Sequence, residues 1–250
     1  MNEEQLCHCR DVISSCNEIM SAHNKSIFEQ IPYILFSWTR LKNDVNEKNR
    51  TNGHLFNPFS IIKIGETTHS RLLGDLLNPK GHHSQGNLFL ESFLKLIEVP
   101  YAEMGEWTIS IESGSVDICL RRSSPPSVIL IENKSNWAVD QQNQLYRYWY
   151  ENIYKFYPQN NYSNIEVKNS FQLVYLPPGV EKRPEPHALE RPQFPNNDIF
   201  PKDLEEAGVK VRLFTFRQDI TKWLDSCNQL IPSTNIRLKT HLQFYKELWH

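Results

Sequence analysis

Runs of alternating or continuous apolar residues in the middle of the chain predict a β-sheet. Residues 107–112 and 116–120 alternate between apolar and polar side chains, and the turn from Ser113 to Ser115 contains a glycine. This pattern predicts a β-hairpin. Residues 128–131 are apolar at every position, as expected for a central strand that is buried on both faces.

Helical spacing of apolar residues predicts helices on either side of these strands. The first helix is expected at residues 61–77. Asn57 or Ser60 can cap it, and Pro58 suits its first turn. A second helix is expected at residues 138–154, directly after the central strand. The other predicted elements are strands at 171–176 and 211–216 and helices at 218–230 and 235–249.

Apolar residues near the N-terminus recur at alternating spacings of three and four, which predicts a helix with one apolar seam. The seam consists of Leu6, Cys9, Ile13, Cys16 and Met20. The alternative is a zinc site, although the chain has no Cys-x-x-Cys pair there; its ligands would be Cys7, Cys9, Cys16 and His23. We therefore expect residues 1–43 to form a helical N-terminal extension that packs on the rest of the chain or pairs with a second copy. The polar residues 43–54 would be a linker to a domain at residues 55–250.

Seven prolines fall between Pro177 and Pro201, together with Glu, Arg and Asn residues. This composition excludes a long helix or a central strand and predicts a long loop. The loop is expected to cover the active site or to contact the substrate.

Two acidic residues and one lysine stand at the ends of the predicted strands. Asp117 lies in the second strand of the hairpin, and Glu132 and Lys134 follow the central strand on one of its faces. Asn133 points to the other face and leaves its backbone carbonyl near the same place. Two carboxylates that share a divalent cation, beside an ammonium group, are a minimal apparatus for hydrolysing a phosphodiester. The alternative is a Glu–Lys ion pair that closes the strand.

The helix predicted at residues 61–77 places one more carboxylate near this candidate site. Glu66 falls on the apolar, core-facing stripe of that helix, and Gly65 beside it indicates that another group approaches the backbone closely. The alternative for Glu66 is a salt bridge to Lys63 or a hydrogen bond to His69.

The helix predicted at residues 138–154 adds uncharged polar side chains. Gln141, Gln144 and Tyr148 share one of its faces, and the helix leaves directly from the strand that carries Glu132. Amides and a phenol bind phosphate or hold a water without cancelling the charge of a metal. The alternative is an ordinary amphipathic helix with a polar flank.

Five motifs occur along the chain in the element order α-β-β-β-α-β. They are Gly-Glu-Thr-Thr-His-Ser-Arg-Leu-Leu-Gly-Asp-Leu-Leu-Asn-Pro at 65–79, Ser-Val-Asp-Ile at 115–118, Ile-Glu-Asn-Lys at 131–134, Asp140-Gln141 with Gln144-Leu145 and Tyr148, and Asp-Ile-Thr-Lys-Trp-Leu at 219–224. Together they resemble the PD-(D/E)XK nuclease superfamily, in particular one bacterial branch of it. The resemblance covers residues 55–250 and implies an α/β, restriction-endonuclease-like core with a mixed central sheet flanked by helices, plus N-terminal and C-terminal helical additions.

The resemblance also implies roles for individual residues. Asp117 and Glu132 would ligate Mg²⁺ or Mn²⁺, and the carbonyl of Asn133 and the side chain of Glu66 would complete the protein ligands. Lys134 would orient the attacking water and offset charge on the phosphate. The substrate-binding residues would be Gln141, Gln144 and Tyr148. The residue before Asp117 is Val116, where the name of the superfamily has a proline.

Composition and charge agree with a globular enzyme. The chain has 250 residues, of which 39% are hydrophobic and 22% charged, enough to bury a full core. Its net charge of −2 is unusual for a protein that binds nucleic acid, but basic residues cluster locally at 121–122, 182–183 and 210–222. The acidic start and the short apolar stretch from Ile31 to Trp38 predict no signal peptide and no membrane association, so we expect a cytoplasmic protein.

Three functions follow from these observations. The first is a metal-dependent nuclease that acts on DNA rather than RNA, and the resemblance alone suggests a role in defence against foreign DNA. The second is a catalytically inactive version of the fold that binds nucleic acid or regulates a partner. The third is an interaction protein built around the N-terminal helices, through which a homodimer or a partner protein could form.

Overall fold

The computed structural model describes residues 3–53, 56–62, 64–113, 116–193 and 200–249. The chain divides into two compact units, Met1–Phe56 and Asn57–His250. No helix in these described ranges is both long enough and apolar enough to cross a membrane.

The first unit is one long helix, α1, which spans Glu3–Asn52. The linker predicted at residues 43–54 is therefore helical up to Asn52. Its Lys, Glu and Arg residues favour a helix, and Arg50 forms an ion pair with Glu47 at 2.7 Å. The helix ends where Gly53 adopts a positive φ of 61°, as glycines after helices often do. In the predicted seam the side chain of Met20 is exposed, and the other seam side chains, like the alternative zinc ligands, lie outside the described residues.

The second unit contains a mixed β-sheet, which has five strands in the described residues. The strands are β1 Trp107–Ser113, β2 Val116–Arg122, β3 Ser127–Asn133, β4 Phe171–Leu176 and β5 Val211–Leu213, in that spatial order. β1, β2 and β3 are antiparallel neighbours, whereas β4 runs parallel to β3 and β5 parallel to β4. The predicted hairpin is thus formed by β1 and β2, although residues 114 and 115 of its turn lie outside the described residues.

The helices of the second unit precede, interrupt and follow the sheet. They are α2 Pro58–Ile61, α3 Glu66–Leu77, α4 Leu88–Leu96, α5 Gln144–Trp149, α6 Ile165–Ser170, α7 Pro186–Leu189, α8 Thr221–Leu230 and α9 Ile236–Glu247. Two π-helical turns, Tyr150–Tyr154 and Phe216–Ile220, continue α5 and precede α8. In the described residues from α3 to β4, the chain contains the predicted α-β-β-β-α-β core with two additional helices, α4 before β1 and α6 before β4.

The hydrophobic core packs on both faces of the sheet. Successive residues of a strand face opposite sides. Ile129 and Ile131 of β3 belong to a cluster with α3, α4, α8 and α9, whereas Val128 and Leu130 belong to a cluster with α5 and α7. Every residue of β3 is buried. The prediction of a central strand covered on both sides is therefore confirmed.

The helix predicted at residues 61–77 is divided into α2 and α3. Gly65 stands before the first residue of α3 with extended backbone angles, φ −90° and ψ 171°, which places it at the N-cap. Apart from Gly65 and its two chain neighbours, no described residue has an atom within 4 Å of the position that a Cβ would occupy there. The close approach expected at Gly65 is therefore not made by the described part of the chain. Ile62, which lies within the predicted helix, is 64% exposed.

The helix predicted at residues 138–154 begins six residues later, at Gln144. Asn143 has a positive φ of 56°, which interrupts any helix before it. Its backbone N–H donates to the carbonyl of His187 in the proline-rich loop, at 2.8 Å. This contact joins residues that are 44 positions apart in the chain. It prevents the helix from including residues 138–143, which the local spacing of apolar residues assigns to it. The strand predicted at 211–216 likewise stops at Leu213, because Thr215 caps the π-helical turn that follows.

Stability should fall in acid because of His69, a buried residue of α3. Its ring lies 4.9 Å from that of Trp249, and its Nδ1 lies 3.1 Å from the hydroxyl of Tyr245. Burial lowers the pKa of His69 to about 4 from its ordinary 6.5. Between these values the unfolded chain binds a proton that the folded protein does not. The neutral, buried ring of His69 therefore makes its full contribution to the free energy of unfolding above pH 6.5. This contribution is lost as the pH falls towards 4, by up to about 1.4 kcal/mol per pH unit.

This loss is measurable by urea unfolding of the parent and of His69→Gln between pH 7 and pH 4. The difference between their unfolding free energies should change by roughly 3 kcal/mol across this range. His82→Gln is the matched control, because the side chain of His82 is 99% exposed. A constant difference between the parent and His69→Gln would show that the buried imidazole does not govern this loss.

Candidate active site

The candidate site is built on the ends of β2 and β3, on the face of the sheet that α5 covers. Ile118 pairs with Ile131 across these antiparallel strands, so Asp117 and Glu132 follow one position further along the register. Asp117 shares its face with Cys119, and Glu132 shares its face with Leu130. The backbone N–H of Asn133 donates to Oδ2 of Asp117 at 2.7 Å. Strand pairing alone thus brings the two carboxylates together.

Glu132 is 4% exposed, and its two carboxylate oxygens have different surroundings. Oε1 lies 2.8 Å from Nζ of Lys134 and accepts a hydrogen bond of 2.8 Å from Nε2 of Gln144. Oε2 is buried and has no hydrogen-bond partner among the described residues. Burial and the charge of Asp117 raise the pKa of Glu132 to about 8, against the opposing effect of Lys134. Burial also raises the pKa of Asp117.

Lys134 is held as a buried ammonium group, 4% exposed. Besides its contact with Glu132, Nζ donates to Oε1 of Gln144 at 3.2 Å and lies 3.4 Å from Oδ1 of Asp140. Burial lowers the pKa of Lys134, but the carboxylates of Glu132 and Asp140 raise it by a larger amount. The net shift of the Lys134 pKa is therefore upward. The backbone N–H of Lys134 donates to the carbonyl of Leu176 at the end of β4. The lysine therefore has a fixed backbone as well as a paired side chain.

Two of the three polar residues predicted around α5 lie in this network. Gln144 donates to Glu132 and to the hydroxyl of Tyr148, the latter at 2.8 Å. Gln141 precedes α5 and is exposed, and its Oε1 accepts a hydrogen bond of 3.3 Å from Arg147. The expectation that Gln141 shares a helix face with Gln144 and Tyr148 is wrong, because the helix starts after it.

Asn133 connects the site to α3. Its side chain lies on the opposite face of β3 from Glu132, as predicted, and its Nδ2 donates to the carbonyl of Glu66 and to Oγ of Ser70, both at 2.9 Å. The carboxylate of Glu66, half-buried, accepts from the backbone N–H of Asn136 at 3.1 Å. Glu66 thus lies in the first turn of α3, beside the segment that follows Lys134.

A divalent cation such as Mg²⁺ needs several oxygen donors close together. Within the described part of the chain, no three His, Cys, Asp or Glu side chains are grouped closely enough to hold a metal by themselves. Asp117 and Glu132 supply two carboxylates, and Oε2 of Glu132 is a buried acceptor that no described residue contacts through a hydrogen bond. Mg²⁺ is commonly bound by one or two carboxylates while water and substrate phosphates fill its other positions. The residues present fit such an ion.

Asp140 has no role in the sequence-based prediction, but the structure places it beside Lys134. A weak signal was available, because Asp140 stands in the same motif as Gln144 and Tyr148. Its contact with the lysine depends on the irregular backbone of residues 138–143, which the sequence pattern assigned to a helix.

The comparisons with known proteins agree with this geometry. The family model described as "PD-(D/E)XK nuclease superfamily" matches residues 56–247. The searches of the curated proteins and of the solved structures gave no match. The mixed sheet flanked by helices is consistent with the restriction-endonuclease-like fold of that family. The match covers more than three quarters of the chain, and the chain therefore belongs to the PD-(D/E)XK nuclease superfamily.

Proposed function

We propose that this protein is a metal-dependent deoxyribonuclease that hydrolyses phosphodiester bonds at the site formed by Asp117, Glu132 and Lys134. The observation that carries the proposal is the buried Oε2 of Glu132, which has no hydrogen-bond partner among the described residues and lies next to a second carboxylate and an ammonium group. A buried carboxylate oxygen without a donor is costly in a purely structural role. It is expected in a site that binds a cation.

In this proposal, Asp117 and Glu132 hold Mg²⁺ or Mn²⁺, with the carbonyl of Asn133 and the side chain of Glu66 as further candidate ligands. The bound cation would lower the pKa of a water and offset charge on the phosphate. Lys134 donates hydrogen bonds to the attacking water and to the phosphate oxygens that gain charge.

The polar residues around α5 have supporting roles. Gln144 holds Glu132 and Lys134 at the same time, through the two ends of its amide. The hydroxyl oxygen of Tyr148 accepts a hydrogen bond from Nε2 of Gln144 and so orients this amide. Gln141 and Arg147 are exposed beside the start of α5, where they can contact the substrate backbone.

DNA as the substrate and a role in defence against foreign DNA rest on the resemblance to a bacterial branch of the superfamily. The proposed location is the cytoplasm, where such an enzyme would meet DNA.

The proposed arrangement keeps residues 1–43 as a helical extension and 55–250 as the nuclease domain. Exposed apolar side chains of α1, such as Phe28, Ile34 and Trp38, support pairing with a second copy or a partner.

Cleavage assays test the proposed activity. Purified protein with Mg²⁺ or Mn²⁺ should cut plasmid, linear or single-stranded DNA in preference to RNA, and EDTA should abolish cutting. Lys134→Ala should lower the rate by at least about 100-fold, because charge that develops on the phosphate loses a preorganised donor. Lys246→Ala is the matched control, since Lys246 is an ion-paired lysine in α9 that contacts Asp225. Parent-like cutting by Lys134→Ala would exclude the mechanism.

Affinity for Mn²⁺ should rise with pH. The pKa of Glu132 is about 8 without metal, so below that pH a cation has to displace a proton from the carboxyl group. The association constant should increase by about tenfold per pH unit from pH 6 to pH 8 and level off above. Titration calorimetry in two buffers of different ionisation enthalpy should show about one proton released per ion at pH 6.5.

The control for this measurement is Glu132→Gln, which removes the titrating group and should lose most of the binding. A Mn²⁺ affinity that stays constant between pH 6 and pH 8 would contradict the assignment of Glu132 as a buried ligand.

A further inference from the structure

Asp140 is a buried carboxylate with a specific set of partners. It is 5% exposed, and its Oδ1 lies 3.4 Å from Nζ of Lys134. The hydroxyl of Tyr175 donates to both of its oxygens, at 3.0 and 3.2 Å, and the backbone N–H of Glu185 donates to Oδ2 at 2.8 Å. Hydrogen bonds from β4 and from the proline-rich loop thus hold this carboxylate in place independently of its contact with Lys134.

Lys134 needs a second anion beside it if the negative charge of Glu132 is used to bind a cation. Its nearest carboxylate oxygen, Oε1 of Glu132, belongs to a group that the proposed function assigns to a divalent cation. A cation bound there would draw on the charge of Glu132 and repel the ammonium group. Asp140 differs, because its oxygens already accept from Tyr175 and Glu185. It can therefore serve Lys134 as a dedicated counter-charge.

We propose that Asp140 is a positioning residue that holds the ammonium group of Lys134 at the active site while Glu132 serves the cation. This inference rests on the proposed nuclease function and deepens it. Asp140 acts through Lys134 and has no contact of its own with the reacting atoms.

The proline-rich loop braces the same point. The carbonyl of Asp140 lies 3.1 Å from Nε2 of His187, and the side chain of Asn143 donates to the carbonyl of Glu190 at 2.7 Å. Together with the N–H of Glu185, these contacts fasten the described part of the loop to residues 140–143. The carboxylate of Asp140 thereby connects the proline-rich loop to Lys134.

The test compares Asp140→Asn with Asp140→Ala, Lys134→Met and the double variant Asp140→Asn/Lys134→Met. Asparagine keeps the size of the side chain and an acceptor for Tyr175 and Glu185 but removes the charge. Urea unfolding of the metal-free proteins gives the coupling between positions 140 and 134. We expect the coupling to change the unfolding equilibrium constant by at least about tenfold, which corresponds to about 1.4 kcal/mol.

Turnover separates positioning from folding. Asp140→Asn should lower kcat by at least about tenfold while KM and Mn²⁺ affinity stay within about threefold, since a misplaced lysine weakens the transition state more than binding. Tyr175→Phe, which keeps the charge but removes one hydrogen bond, should cost less than Asp140→Asn. The matched control is Asp219→Asn, whose carboxylate accepts from the backbone N–H of Thr215 at 2.6 Å, and which should lose stability and keep kcat.

Additive unfolding energies at positions 140 and 134, or an Asp140→Asn protein with the kcat of the parent, would overturn the proposal. Failure of the proposed function looks different. In that case the parent cuts no nucleic acid, yet the coupling between Asp140 and Lys134 persists in the metal-free protein. That result would still support the placement of the lysine by Asp140 and would refute the nuclease activity alone.

Discussion

The burial of two neighbouring carboxylates is the constraint on which the candidate site depends. Asp117 and Glu132 lie on adjacent antiparallel strands, and burial raises the pKa of both. An unpaired buried charge costs several kcal/mol, so such a pair persists only with donors around it. The N–H of Asn133 meets Asp117, and Lys134 meets Glu132. This compensation is incomplete, because Oε2 of Glu132 lacks a partner in the described residues. The incomplete compensation supports the proposed cation site over a structural ion pair.

The sheet supplies the rigidity that such a site needs. β3 is buried at every position, and its last residues are fixed on three sides. The N–H of Lys134 binds the end of β4, the side chain of Asn133 binds α3, and Glu132 is bound by Gln144 of α5. Side chains held on packed strands and helices keep their geometry better than side chains on free loops. The helices on both faces therefore position the site as well as close the core.

The sequence was sufficient for the parts of this structure that local periodicity determines. Alternation and a continuous apolar run located β1, β2 and β3, and the Glu-x-Lys spacing put Glu132 and Lys134 on one face. It was insufficient where distant contacts decide the backbone. The start of α5 depends on the bond from Asn143 to His187, so Gln141 was assigned to a helix that begins after it. The division of α2 from α3 at Gly65 likewise has no signature in apolar spacing.

Formal charge connects the separate contacts of the site. Asp117, Glu132 and Asp140 contribute three negative charges and Lys134 one positive charge, so the group sums to −2 when ionised. A divalent cation would neutralise this sum and allow a phosphate to approach.

The hydrogen bonds of the two acids Asp140 and Glu132 indicate which of them would bind the cation. The carboxylate of Asp140 is occupied by Tyr175 and Glu185, whereas Glu132 retains a free buried oxygen among the described residues. In the proposed function, Asp117 and Glu132 form the metal-binding pair, and Asp140 is the acid that holds the lysine. An overall charge of −2 for the chain is compatible with this arrangement, because the buried groups and the proposed ion would set the local field.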